Sequence, residues 1–222
     1  MDHIVATQWI GFDTASTYSS VLYFSFPLLC AIGPSLGVVE DVRSEFSLRM
    51  LQARKAHFAM NSLVISFLGG ALTATIPLIV DYMFALLLFP NRVPNLLVNY
   101  NDTVLPAFTF LGGRYYTRPA DIILLYIIVA GLWGGVYGLT SLLSGVLSKN
   151  LYVSMSAPFS LTVIITVVTN IIPNYVISPI YSMMPVSPEP LGAPVALLIT
   201  YTTVLLLITG GGYYAIRRIQ IL

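Results

Sequence analysis

Acid–base, metal and nucleophile chemistry need titratable side chains placed near one another, and this chain has few. Of its 222 residues, 9% are charged, and the two histidines, His3 and His57, lie far apart. The one cysteine, Cys30, sits in an apolar run, so no internal disulfide and no Cys-rich metal site can form. Within the long apolar stretches the conspicuous acid is Asp81. An acid inside a lipid-crossing helix is costly and is a functional candidate by default. Asp81 lies toward one end of its stretch, and no Lys, Arg or His of that stretch can pair with it. An interfacial or interhelical hydrogen bond is therefore favoured over a proton relay. No G-x-x-x-x-G-K-[ST], H-E-x-x-H or G-x-S-x-G occurs, and no carboxylate pair could run general acid–base catalysis. The chain reads as a non-enzyme that binds no cofactor or metal of its own.

Two further groups of polar residues invite attention. Thr162, Thr166, Thr169 and Asn170 form a stripe on one apolar segment, and Gly131, Gly134, Gly135, Gly138 and Gly145 punctuate another. The hydroxyl stripe is a candidate solute path, although hydroxyls on membrane helices more often bond to carbonyls or neighbouring helices. Glycines four apart let helix backbones approach closely, within one chain or between subunits. Asp81, Thr162, Thr166, Asn170, Gly131 and Gly135 are thus the candidate path or packing residues.

The elements that must position these residues follow from composition. Hydrophobic residues make up 57% of the chain, and mean hydropathy is +0.85. Ordinary soluble domains carry about 25% charge, so this chain cannot cover a water-facing surface. A net charge of +1 leaves no basic surplus for a nucleic-acid backbone. The expected fold is all-α: a polytopic helical membrane protein, one transmembrane domain over 1–222, with about five spans. They fall near 18–39, 58–89, 122–147, 151–172 and 195–216. The runs are long and apolar on all sides, unlike the ten-residue alternating strands of a barrel. The second, at 32 residues, is about 48 Å long and must tilt, bend or protrude, with Pro77 offering a kink.

Lys and Arg then orient the chain. Arg43, Arg49, Arg54, Lys55, Lys149, Arg217 and Arg218 fall on one side; Arg92, Arg114 and Arg118 fall on the other. The larger set is expected in the cytoplasm, which puts the N-terminus outside and the C-terminus inside. Residues 1–17 then form a non-cytoplasmic segment: either a short acidic tail crosses the membrane unaided or, the favoured expectation, an upstream helix is missing from the chain. Pro90–Asp121 and Pro173–Pro194 become long proline-rich external segments. The stretch Tyr175–Met184 is apolar enough to lie at the interface or dip into the membrane. Along residues 40–57, EDVRSEFSLRMLQARKAH, Val42, Phe46 and Met50 continue one helical face from the preceding Val39, with Glu45 four residues before Arg49. Two readings fit: a helix resting on anionic headgroups, or a docking helix for a cytoplasmic partner.

In this order of features the chain resembles the permease subunits of bacterial type-2 ATP-binding-cassette exporters. The carrying stretches are PLLCAIGPSLGVVEDVRSEFSLRMLQARKAHFAMNSLVISFLGGALTATIPLIV, SKNLYVSMSAPF and the terminal YYAIRRIQIL. The resemblance covers nearly the whole chain but rests on a diffuse pattern, and the family's first span is not seen. It implies a solute path shared with a second permease subunit, identical or different, in the plasma membrane. It implies ATP and Mg on a separate cytoplasmic ATP-binding subunit. It assigns ATPase coupling to Glu40, Asp41, Arg43, Glu45, Phe46, Arg49, Arg54 and Lys55, with Lys149 as a second contact. A membrane scaffold or immunity-type binding protein without a transport cycle is the alternative.

Overall fold

The structure is a computed structural model that describes residues 3–13, 17–33, 37, 39–40, 55–95, 109, 111–171, 178–185, 203–204, 210–212 and 214. These residues are helical or irregular, with no strand among them. In chain order the helices are α1 (Val5–Gln8), α2 (Thr17–Ala31), α3 (Lys55–Leu88), α4 (Gly112–Tyr115), α5 (Pro119–Ser148), α6 (Leu151–Ile171) and α7 (Pro179–Met183). Three of them are long and apolar enough to cross a membrane: α3 over Met60–Leu88, α5 and α6. Of the expected spans, the fifth lies almost wholly outside the described residues.

The boundaries of the others have local causes. α3 begins at Lys55, so Lys55, Ala56 and His57 belong to the long helix and not to the charged segment before it. At 34 residues α3 is about 51 Å long. α5 starts at Pro119, where proline costs nothing because the first N–H groups of a helix have no intrahelical partner. The expected external segment therefore ends three residues earlier than its sequence limit. α2 is the larger correction: it closes at Ala31, fifteen residues long, and does not run to Val39. Gly33 precedes Pro34, and a residue before proline is pushed away from the helical region. α5 passes into α6 through Lys149 and Asn150. Lys149 takes the left-handed conformation (φ 52°) that ends a helix. The Asn150 side chain accepts the Tyr152 N–H at 2.9 Å and caps the next one.

The chain divides into two compact units. Unit one comprises Met1–Phe24, Thr75–Ala130 and Ile165–Leu198; unit two comprises Ser25–Ala74, Gly131–Ile164 and Ile199–Leu222. Unit two holds an aliphatic cluster of Val39, Leu63, Leu139, Leu142 and Val146, with Phe67 and Leu151 against it. Its tightest contact is between backbones. A Cβ on Gly70 would run into the Gly134 carbonyl oxygen and lie 3.2 Å from Gly138 Cα, and one on Gly138 would strike the Ser66 carbonyl. Small residues at four-residue spacing, Ser66, Gly70 and Ala74 facing Gly134 and Gly138, permit this approach.

The burial pattern of α3 and α6 is inverted relative to a soluble helix. On α6 the buried positions are Ser154, Pro158, Thr162 and Thr169, while Leu161, Ile164, Val167, Val168 and Ile171 are exposed. On α3 the stripe Ser62, Ser66, Gly70 and Ala74 is buried while Val64, Ile65, Leu68, Leu72 and Ile76 are exposed. In water such helices would show far more contiguous apolar surface than monomeric soluble proteins tolerate. In hydrocarbon the arrangement is the favourable one, because polar side chains must find partners inside the protein. α5 differs from both: 72% of its apolar stretch is buried, against 28% for α3 and 17% for α6.

Candidate functional site

The polar residue with the most built surroundings is Asp81 in unit one. It lies on the same face of α3 as buried Leu78 and Ala85, spaced by one helical turn. The chain's N-terminal segment is bound to that face. The Ile10 N–H donates to Asp81 Oδ2 at 2.9 Å, and Trp9 Nε1 donates to the Leu78 carbonyl at 3.2 Å. The Val5 N–H reaches the Pro90 carbonyl at 3.4 Å. The Tyr115 hydroxyl donates to the Ala6 carbonyl at 3.3 Å, and the Ser19 hydroxyl donates to the Ile10 carbonyl.

This segment is compact because its own hydrogen bonds close short turns. The Thr7 hydroxyl donates to the Ile4 carbonyl at 3.1 Å, opening α1, and the Phe12 and Asp13 N–H groups both return to the Trp9 carbonyl. Its apolar side chains are then enclosed on several sides. Ile4, Val5, Ala6, Trp9 and Phe12 are buried. The Phe12 ring packs 4.6 Å from Tyr115 and 6.2 Å from Tyr126 between centroids, and 5.6 Å from Trp9. Tyr126 in turn donates to the Pro185 carbonyl at 3.3 Å, which fastens the segment containing α7. Beside the cluster, partial burial raises the Tyr116 phenol above its ordinary range.

The hydroxyl stripe of α6 is also engaged. The Thr162 hydroxyl donates to the Pro158 carbonyl at 2.7 Å, one turn back in the same helix. Within unit one, Thr166 Oγ1 and Ser178 Oγ share a hydrogen bond of 3.2 Å. Asn170 Nδ2 donates to the Thr166 carbonyl at 2.9 Å, and the Tyr181 hydroxyl donates to Asn170 Oδ1 at 3.3 Å. Thr166 and Asn170 thus hold α7 and its flanks, of which Ser178, Pro179, Ile180, Ser182 and Met183 are buried. In unit two, Ser141 donates to the Ala31 carbonyl at 3.2 Å and Ser154 donates to the Ser141 carbonyl at 2.8 Å, fixing the end of α2.

Of the remaining candidates, Gly135 packs so closely on the Phe67 ring that a Cβ would overlap it, and Gly131 is buried in α5. Glu40 and Lys149 are exposed, and Lys55 opens α3. Asp41, Arg43, Glu45, Phe46, Arg49 and Arg54 lie outside the described residues. Asp81 and the α6 stripe are therefore given partners within the chain, and the second acid near Asp81 is Asp13, at the end of the segment that docks on it. Among the described residues no three His, Cys, Asp or Glu side chains converge as metal ligands. What the arrangement can do is recognise main-chain amides and an indole N–H.

Sequence reasoning missed the partners of Asp81. The only signal for them is the apolar content of residues 4–12, which is high for a segment outside the spans. Compared with protein-family models, curated proteins and solved structures, the chain matches none.

Proposed function

We propose that the chain is a membrane subunit of a bacterial ATP-binding-cassette exporter, resident in the plasma membrane and working with a separate ATPase. The observation that carries the membrane part of this reading is the burial of α3 and α6, with Ser62, Ser66, Gly70, Ser154 and Thr162 inside and most Leu, Ile and Val outside. The expected topology has about five spans, the N-terminus outside and the C-terminus in the cytoplasm. The charged segment 40–57, whose last three residues open α3, carries the coupling contact on this reading, and the exposed Lys149 turn a second one. ATP binding would close a pair of ATPase subunits against these points and tilt the long helices as rigid bodies. The solute path would form between this chain and a second permease subunit.

One observation favours the alternative of a membrane scaffold or immunity-type binder. Asp81, Thr162, Thr166 and Asn170 are all hydrogen-bonded within the chain. The deciding experiment is affinity purification of the full chain from its own membranes in mild detergent. An ATPase should co-purify, and deletion of residues 40–55 should remove it. Retention of that ATPase after the deletion would sink the coupling assignment. Full biological activity in cells lacking every candidate ATPase would favour the scaffold.

A further inference from the structure

We infer that the surface of unit one formed by Leu78, Asp81, Pro90 and Tyr115 is a peptide-binding site, filled by the chain's own residues 3–13. Its ligand class is a short peptide carrying a Trp-x-x-Phe anchor. The inference stands apart from the exporter reading, because it concerns how this surface recognises a chain segment and not what drives the protein.

The hydrogen bonds carry it. Three of the four that residues 3–13 make to these groups use the segment's main chain: Val5 N–H to Pro90, Ile10 N–H to Asp81 and the Ala6 carbonyl from Tyr115. Only Trp9 contributes a side-chain polar contact, to the Leu78 carbonyl. Main-chain bonds supply affinity without regard to sequence, and alternate side chains in pockets supply selectivity; this is how strand-like and turn-like peptides are generally captured. Here the selective anchors are Trp9 and Phe12, with 0% and 2% of their surface exposed. Large aromatics in dry pockets are the residue types that dominate such interfaces. Asp81 also gains a reason to be acidic. A carboxylate facing a backbone N–H makes a charge-assisted bond, stronger than a neutral acceptor would give.

The segment is joined to α2 through residues 14–16, so it is presented at an effective concentration in the millimolar range for a short link. A free peptide competes poorly while that link is intact. Cutting the link turns an internal contact into a bimolecular one.

The test uses the full chain in lipid nanodiscs, with a protease site replacing residues 14–16. The added ligand is a fluorescent synthetic peptide of residues 3–13. Before cleavage the peptide should show no saturable binding. After cleavage it should exchange with the released segment and bind saturably. A peptide with Ala in place of Trp9, or a chain carrying Asp81→Ala, should bind at least about tenfold more weakly. Equal binding of a scrambled peptide would mean simple partition onto apolar surface and would overturn the inference. So would a cleaved chain that keeps its thermal transition yet never exchanges the segment. Should cleavage cause aggregation, the uncleaved Trp9→Ala chain serves instead. Its weakened internal segment should let the peptide bind where the unaltered chain excludes it, and failure there also overturns the site.

Discussion

The two units are held together by different physics. Unit one is fastened by side chains and by hydrogen bonds of long sequence separation: Trp9 to Leu78, Ile10 to Asp81, Ala6 to Tyr115 and Tyr126 to Pro185. Unit two also has an aliphatic cluster and the Ser141 to Ala31 bond, but its tightest contact comes from the absence of side chains, with the Ser66–Gly70–Ala74 face of α3 lying directly on Gly134 and Gly138 of α5. The difference teaches where each unit tolerates change. A hydrogen-bonded aromatic cluster can lose a member and keep its backbone path. A contact between two backbones has no soft atom to move. Helices in lipid gain little from apolar burial against one another, so close backbone packing and internal polar contacts must supply the association.

The sharpest way to break this contrast is Gly70→Ala. In an ordinary exposed helix that change favours folding by about 1 kcal/mol. Here the new methyl meets the Gly134 carbonyl and then Gly138 Cα, neither of which can rotate aside. The expected outcome is a loss of about 3 kcal/mol, at the upper end of overpacking costs, seen as a lower apparent Tm in detergent. Gly135→Ala sharpens the point, because its obstacle is the Phe67 ring, which can swing. Its loss should be about 1 kcal/mol, at the lower end of the same range. Equal losses for the two would mean that backbone contact is not what distinguishes unit two.

Asp81→Ala tests unit one. If the acid were only a burden in an apolar helix, removing it would stabilise the chain. Because Asp81 accepts the Ile10 N–H, its removal leaves that partly buried donor unpaired, and a loss of about 1–2 kcal/mol is expected. The loss should be local. In a Trp133→Phe background, acrylamide quenching of Trp9 should rise well before global unfolding. Unchanged quenching would show that the N-terminal segment is held by its apolar side chains alone. Trp9→Phe is the smaller version: the ring volume largely remains and the Leu78 hydrogen bond goes, for about 1 kcal/mol in the same assay.

These contrasts also mark how much was legible in the sequence. α3, α5 and α6 follow from unbroken apolar runs, since lipid admits no gap in a spanning helix, and their ends fall within three residues of the hydropathy limits. The four-residue rhythm of Thr162, Thr166 and Asn170 was visible too, but rhythm does not say which way a stripe faces. Only Thr162 turns fully inward, Thr166 is half-buried and Asn170 is exposed, yet all three are engaged by hydrogen bonds within the chain. The docking of residues 3–13 was not legible, because its partners lie 69 to 109 residues away. Nor was the early end of α2: the apolar run continues past Ala31, and only Gly33–Pro34 opposes it.

One feature should be the same in both units, and that sameness limits the contrast to packing. Among the described residues two non-glycines hold left-handed backbone: Leu111 (φ 57°) before α4 in unit one and Lys149 (φ 52°) between α5 and α6 in unit two. An L side chain pays about 1 kcal/mol there, and glycine does not. Both residues are exposed, so replacement loses little packing. Leu111→Gly and Lys149→Gly should each stabilise the chain by about 0.5–1 kcal/mol in a thermal melt, with near-equal gains. Lys149→Gly also removes a charge while firming the turn that carries it. If that turn contacts an ATPase through its cation, coupled activity should fall as stability rises. If both rise together, the turn matters for its shape alone.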